Sequence, residues 1–205
     1  MRWTWLYLRS RGVPASAGTG VGLVVTVCAL WSAFARPRDV DFPLVLLVVV
    51  LLVSAVCATL AGPDDALDRT AAKPWKPLRL VHLLSAYAVM MAPLLLTRVT
   101  AGRFGPVAEV ARDAGGLLGL TALGAVLIGA HRAWLPPLLW TLPALYFSAS
   151  GGSSERAATR ALTWMVQPIG DRPAAIMAAA LAVAGLVAYA LRGTPLRPAS
   201  DPAPA

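Results

Sequence analysis

Six stretches of the chain are apolar over lengths near the roughly 20 residues that a membrane-crossing helix needs: 14–35, 42–62, 78–97, 114–130, 133–149 and 173–191. Short polar connectors separate them, the longest running over 150–172. The alternation predicts an all-α protein, a polytopic transmembrane helix bundle of about six spans occupying 14–191. No connector is long enough to fold as a soluble domain. The fifth run is short and carries Pro136, Pro137 and Pro143, which remove backbone donors and bend helices. A tilted or partly re-entrant segment suits it as well as a full span.

The flanks read differently. In residues 1–13, Trp3, Leu6 and Tyr7 share a helical face with Arg2 and Arg9 beside it, the pattern of a short interfacial helix lying among headgroups. A plain aromatic and basic flank is the simpler alternative. Arg2 to Arg11 followed by Ala33-Phe34-Ala35 also has the outline of a cleavable leader. Trp31 and Phe34 sit where an aromatic belt would anchor a permanent span instead. Residues 192–205 form a Pro- and Ala-rich tail, expected to be disordered.

Composition strengthens the membrane reading. Of 205 residues, 58% are hydrophobic and 14% charged, against about 45–50% and about 25% in soluble domains. Basic residues exceed acidic ones by 18 to 10, but they flank the apolar runs, where they set orientation and meet anionic lipid heads. Nucleic-acid binding is not expected. Both lysines, Lys73 and Lys76, and the cluster Arg2, Arg9 and Arg11 fall on one side of the predicted topology. That bias puts the N and C termini in the cytoplasm. Arginine far outnumbers lysine and asparagine is absent, which points to a bacterial gene of high GC content and a plasma-membrane protein.

Several chemistries lack their residues. A phosphate-binding loop needs Gly-Lys followed by Ser or Thr, yet Ala72 and Trp75 precede the two lysines. Cys28, Cys57, His82 and His131 show no metal-ligand spacing. The two cysteines differ in depth by about 12 Å at about 1.5 Å per residue, too far for a disulfide. Ser148-Ala149-Ser150-Gly151 resembles the serine stretch of rhomboid proteases with its first glycine replaced, and no histidine shares its depth. With these span boundaries every Asp and Glu lies in a connector or tail, which removes the usual coupling groups of ion-driven carriers. No catalytic residue, metal or cofactor is expected.

Two features remain. The connector between the second and third spans places Pro63, Asp64, Asp65, Leu67 and Asp68 before Arg69, Lys73 and Pro74. Proline suits a helix start, acids its first turn, bases its last and proline its stop. This predicts a two- to three-turn cytoplasmic helix able to dock on a partner, with a solvated loop as the alternative. Gly18 with Gly22, and Gly115 with Gly119, form Gly-xxx-Gly pairs that let helices approach closely, within the chain or between subunits. The 150–172 connector carries Leu162, Trp164, Met165 and Val166 among charges, which suits a segment resting on the outer leaflet.

This layout resembles the permease subunits of ABC exporters of the type-two class. Their N-terminal interfacial helix, coupling helix after span 2, tight inner turn after span 4 and outer helices after span 5 match residues 2–12, 63–73, His131-Arg132 and 150–172. The stretch Arg112-Asp113-Ala114-Gly115-Gly116-Leu117-Leu118-Gly119-Leu120, on to Ala133-Trp134-Leu135-Pro136, is similar to small permeases of high-GC bacteria. The resemblance implies a homo- or hetero-dimer of permeases, set in membrane lipids and driven by a separate cytoplasmic ATPase. Asp64, Asp65, Leu67, Asp68, Arg69 and Lys73 would then form the coupling helix. A non-transporting membrane scaffold, accessory or immunity protein is the alternative function.

Overall fold

Hydrocarbon offers backbone amides no hydrogen-bond partner, so each apolar run must satisfy its own as a helix. The computed structural model describes residue 6 and residues 8–35, 39–60, 75–99, 103–150 and 156–195. These form helices α1 (Val13–Phe34), α2 (Phe42–Leu60), α3 (Trp75–Leu96), α4 (Val107–Ile128), α5 (Leu135–Ala149), α6 (Ala157–Leu162) and α7 (Arg172–Arg192). Short 3-10 turns follow at Thr97–Val99, Ala130–Arg132 and Trp164–Val166. Among the described residues there is no strand, only an isolated bridge between Asp39 and Arg103. Five helices, α1, α2, α3 with its 3-10 extension, α4 and α7, are long and apolar enough to cross a membrane. Val25, Leu96, Leu127, Ile176 and Val183 are exposed on their outer faces. The fold is an all-α bundle consistent with a membrane protein.

Local chemistry sets the ends. Gly12 turns into α1 at φ +65°, ahead of Pro14 in the first turn. The Asp171 side chain accepts the Ala174 amide at 2.9 Å and caps α7. Gly129 and Gly193, both at positive φ, close α4 and α7.

Helix α4 is the hub, packing against α2, α3, α5 and α7, while α1 rests on α2 and α3 at the periphery. The α4–α7 contact is backbone to backbone. A Cβ on Gly119 would strike Leu181 and Ala182, and one on Gly185 would strike Gly119 itself. The two helices run parallel. Arg112, near the start of α4, reaches the Pro168 carbonyl just before α7 at 3.3 Å. Past the far ends, Gly129 lies beside Pro195. The chain must therefore recross the bundle between them, and α5 makes that crossing. Its 15 residues span about 22 Å, short of the roughly 30 Å hydrocarbon core. Pro136 and Pro137 sit harmlessly in its first turn, but Pro143 lies inside and withholds an amide.

Two expectations change. Helix α4 begins at Val107, not at 114, so Glu109, Arg112 and Asp113 are helical and Asp113 is buried at 3% exposure. Its charge is tolerated there because Arg112 pairs with it. The connector before α7 does not rest on the leaflet. Trp164 and Met165 are fully buried, and only Leu162 is exposed. Gly116 leaves the space that the Trp164 ring occupies, so the ring seats inside the bundle. Helix α2 is described as far as Leu60. The coupling-helix residues Asp64, Asp65, Leu67, Asp68, Arg69 and Lys73 lie outside the described residues, as do most of 1–7 and all of 196–205.

Candidate functional site

The face that carries the start of α1 also gathers the ends of α2 and α7 and the start of α3. The Leu60 carbonyl, last in α2, accepts from Tyr189 Oη at 2.6 Å and from an Arg11 guanidinium nitrogen at 3.4 Å. Gly193, past α7, lies against the Arg79 guanidinium of α3. Three helices are thereby tied together around one carbonyl.

Beside this knot a cavity of about 370 Å³ opens between α1, α2 and α3. Its walls are chiefly apolar, with Val21, Leu52 and Val89 among them, and Ala17, Gly20 and Ala86 keep them apart. From Leu78 to Pro93 along α3 the cleft is about 22 Å long, at about 1.5 Å per residue. Pro93 withholds the amide that would meet the Val89 carbonyl one turn earlier.

Four polar side chains line it: Ser16, Thr59, His82 and Ser85. The Thr59 hydroxyl donates to the Val56 carbonyl at 2.8 Å and lies 3.1 Å from His82 Nε2. Ser16 Oγ donates across to the Ala55 carbonyl of α2 at 2.7 Å. Ser85, halfway along α3, has no hydrogen-bond partner among the described residues. No carboxylate lines the cleft, and among the described residues no group of His, Cys, Asp and Glu could hold a metal.

The opposite face is closed by a polar clasp. Arg112 Nε donates to Asp113 Oδ1 at 2.9 Å, with side chains 9% and 5% exposed. Its two terminal nitrogens reach the Pro168 and Met165 carbonyls at 3.3 and 3.5 Å. Arg160 pairs with Asp171 at 3.0 Å, and Trp140 Nε1 of α5 donates to the Leu162 carbonyl at 2.7 Å. Trp164 Nε1 is buried without a partner among the described residues. The clasp pins the connector between α4, α5 and α7.

The glycines singled out by spacing divide. Gly119 meets the α7 backbone, and a Cβ on Gly115 would lie 3.8 Å from the Tyr87 ring. Gly18 and Gly22 face open space, whereas a Cβ on Gly20, on the other side of α1, would meet Leu52 at 3.0 Å. Within this chain, then, α1 packs through Gly20 and not through that pair. His82 and Asp113 were absent from the sequence-derived sites. An Arg-Asp doublet abutting an apolar run was the available signal for Asp113.

Comparison with protein-family models, with curated proteins and with solved structures gives no match for this chain.

Proposed function

We propose that this chain is the membrane-spanning subunit of an ATP-driven exporter in a bacterial plasma membrane, with a separate cytoplasmic ATPase supplying the energy. One observation carries the reading. Leu60 and Trp75, the described ends of α2 and α3, lie on the face where the α1–α2–α3 cleft begins, and segment 61–74 links them in sequence; the two helices form two of the cleft's three walls. A partner pushing on that segment acts directly on the cleft. The same face holds Arg9, Arg11, Lys76 and Arg79, as a cytoplasmic face does. The open glycines Gly18 and Gly22 on α1 offer a second permease subunit a close-packing surface.

The rival reading, a non-transporting scaffold or accessory subunit, draws on the α4–α7 contact, which closes the middle of the bundle backbone to backbone. Leu67→Pro separates the two. Proline within the predicted coupling helix costs about 3 kcal/mol locally and leaves the membrane helices intact. The expected result is normal membrane abundance with loss of a co-purifying ATPase, or of its response to the permease. Leu162→Pro, on the opposite face, is expected to spare both. Intact association and coupled turnover in Leu67→Pro would overturn the permease reading in favour of the scaffold.

A further inference from the structure

We propose that the α1–α2–α3 cleft is a binding site for an anionic phospholipid, with one acyl chain lying along α3 and the headgroup at the face where α1 begins. The inference does not depend on the permease reading, since a scaffold could hold the same lipid.

Shape is the first argument. A cavity of about 370 Å³ falls within the usual range of small-molecule sites, about 300–1,000 Å³. Drawn out over about 22 Å of α3, that volume is long and narrow. Its depth exceeds the roughly 15 Å of one leaflet, half of the hydrocarbon core. Such a slot takes a single extended chain better than a compact solute. Its apolar walls gain nothing from water, whereas a hydrocarbon chain supplies contacts along its whole length.

Polarity is the second. The hydrogen-bonding groups are graded along the slot. Thr59 is next to last in α2 and His82 is the eighth residue of α3, while beyond Ser85 the α3 wall is Ala86, Val89, Met90 and Pro93. A phospholipid is graded the same way, with its ester oxygens at the Thr59–His82 end and its hydrocarbon along the apolar remainder.

Charge is the third. Leu8 and Leu78 line the mouth of the slot, and Arg9 and Lys76, one and two residues away in sequence, are exposed at the same end of the bundle. Juxtamembrane basic residues favour anionic headgroups by about 1 kcal/mol each.

The test uses the full chain reconstituted in vesicles of equimolar phosphatidylglycerol and phosphatidylcholine with matched chains, gently extracted and weighed by native mass spectrometry. One retained phosphatidylglycerol is expected, at least tenfold over phosphatidylcholine. Ala86→Phe fills the slot and is expected to cut retention at least fivefold. Ile176→Phe, on the exposed face of α7, is expected to change nothing. Arg9→Gln with Lys76→Gln is expected to erase the headgroup preference while keeping the chain. If Ala86→Phe does not fold, this paired replacement of the basic residues decides the matter. Equal retention of both lipids by the wild type, or an unchanged headgroup preference in Arg9→Gln with Lys76→Gln, would overturn the proposal and leave the slot to bulk lipid.

Discussion

Removing the Asp113 carboxylate should expose how much the clasp on the far face contributes. In Asp113→Ala, the Arg112 guanidinium keeps only the Pro168 and Met165 carbonyls at 3.3 and 3.5 Å, the long end of hydrogen bonding. Breaking a buried pair costs about 3–5 kcal/mol, because the surviving charge is uncompensated. Arg112 lies five residues into α4, about 8 Å from its start, and its long side chain can extend toward the aqueous boundary. That places Asp113→Ala at the low end, about 3 kcal/mol. Arg112→Leu strands a short-stemmed carboxylate and is expected to cost about 4 kcal/mol. With both replaced, no charge is left buried, and the double variant is expected to cost about 1 kcal/mol. Reversible unfolding in mixed micelles, followed by far-ultraviolet circular dichroism, gives all three values. Single variants costing less than about 0.5 kcal/mol, or a double variant equal to the sum of the singles, would refute the buried pair.

Gly119→Ala forces a methyl group against the Leu181 and Ala182 backbone and is expected to cost about 1–3 kcal/mol by overpacking. Gly18→Ala, facing open space, is expected to cost under about 0.5 kcal/mol in the isolated subunit, and the same unfolding assay compares them. For topology, single cysteines in a chain lacking Cys28 and Cys57 are expected to be labelled from outside at positions 103 and 160 and from inside at 76. Outside labelling at 76 would invert the assignment and remove the coupling role of segment 61–74.

The apolar runs located α1, α2 and α7 to within about two residues, because leaving lipid is what ends those helices. They failed at α4, where a helix continues through Glu109, Arg112 and Asp113. A run of hydropathy stops at the first charge, while a helix stops only where its backbone does, and an adjacent Arg-Asp pair is nearly neutral. Spacing found glycines on α1 but not which side faces α2. Gly18 and Gly22 share one stripe and Gly20 the other, and the register that chooses between them resides in Leu52. The cleft was illegible for a related reason. Thr59 and His82 lie 23 positions apart, and neither signals alone that α2 and α3 will place them 3.1 Å apart.

The close fit of α7 to α4 also has a bearing on biogenesis. The groove that Gly119 leaves in α4 is complete once residue 128 has been made, yet its occupant ends at Arg192. At about 5–20 residues per second, the ribosome needs roughly 3–13 s to supply it. Through that interval the nascent bundle presents an open backbone stripe on its central helix, and the Leu60 carbonyl awaits the Tyr189 hydroxyl. Insertion factors that shield transmembrane helices have that stripe to cover meanwhile, and a chain cut short before Ala178 would leave its hub without its closest neighbour.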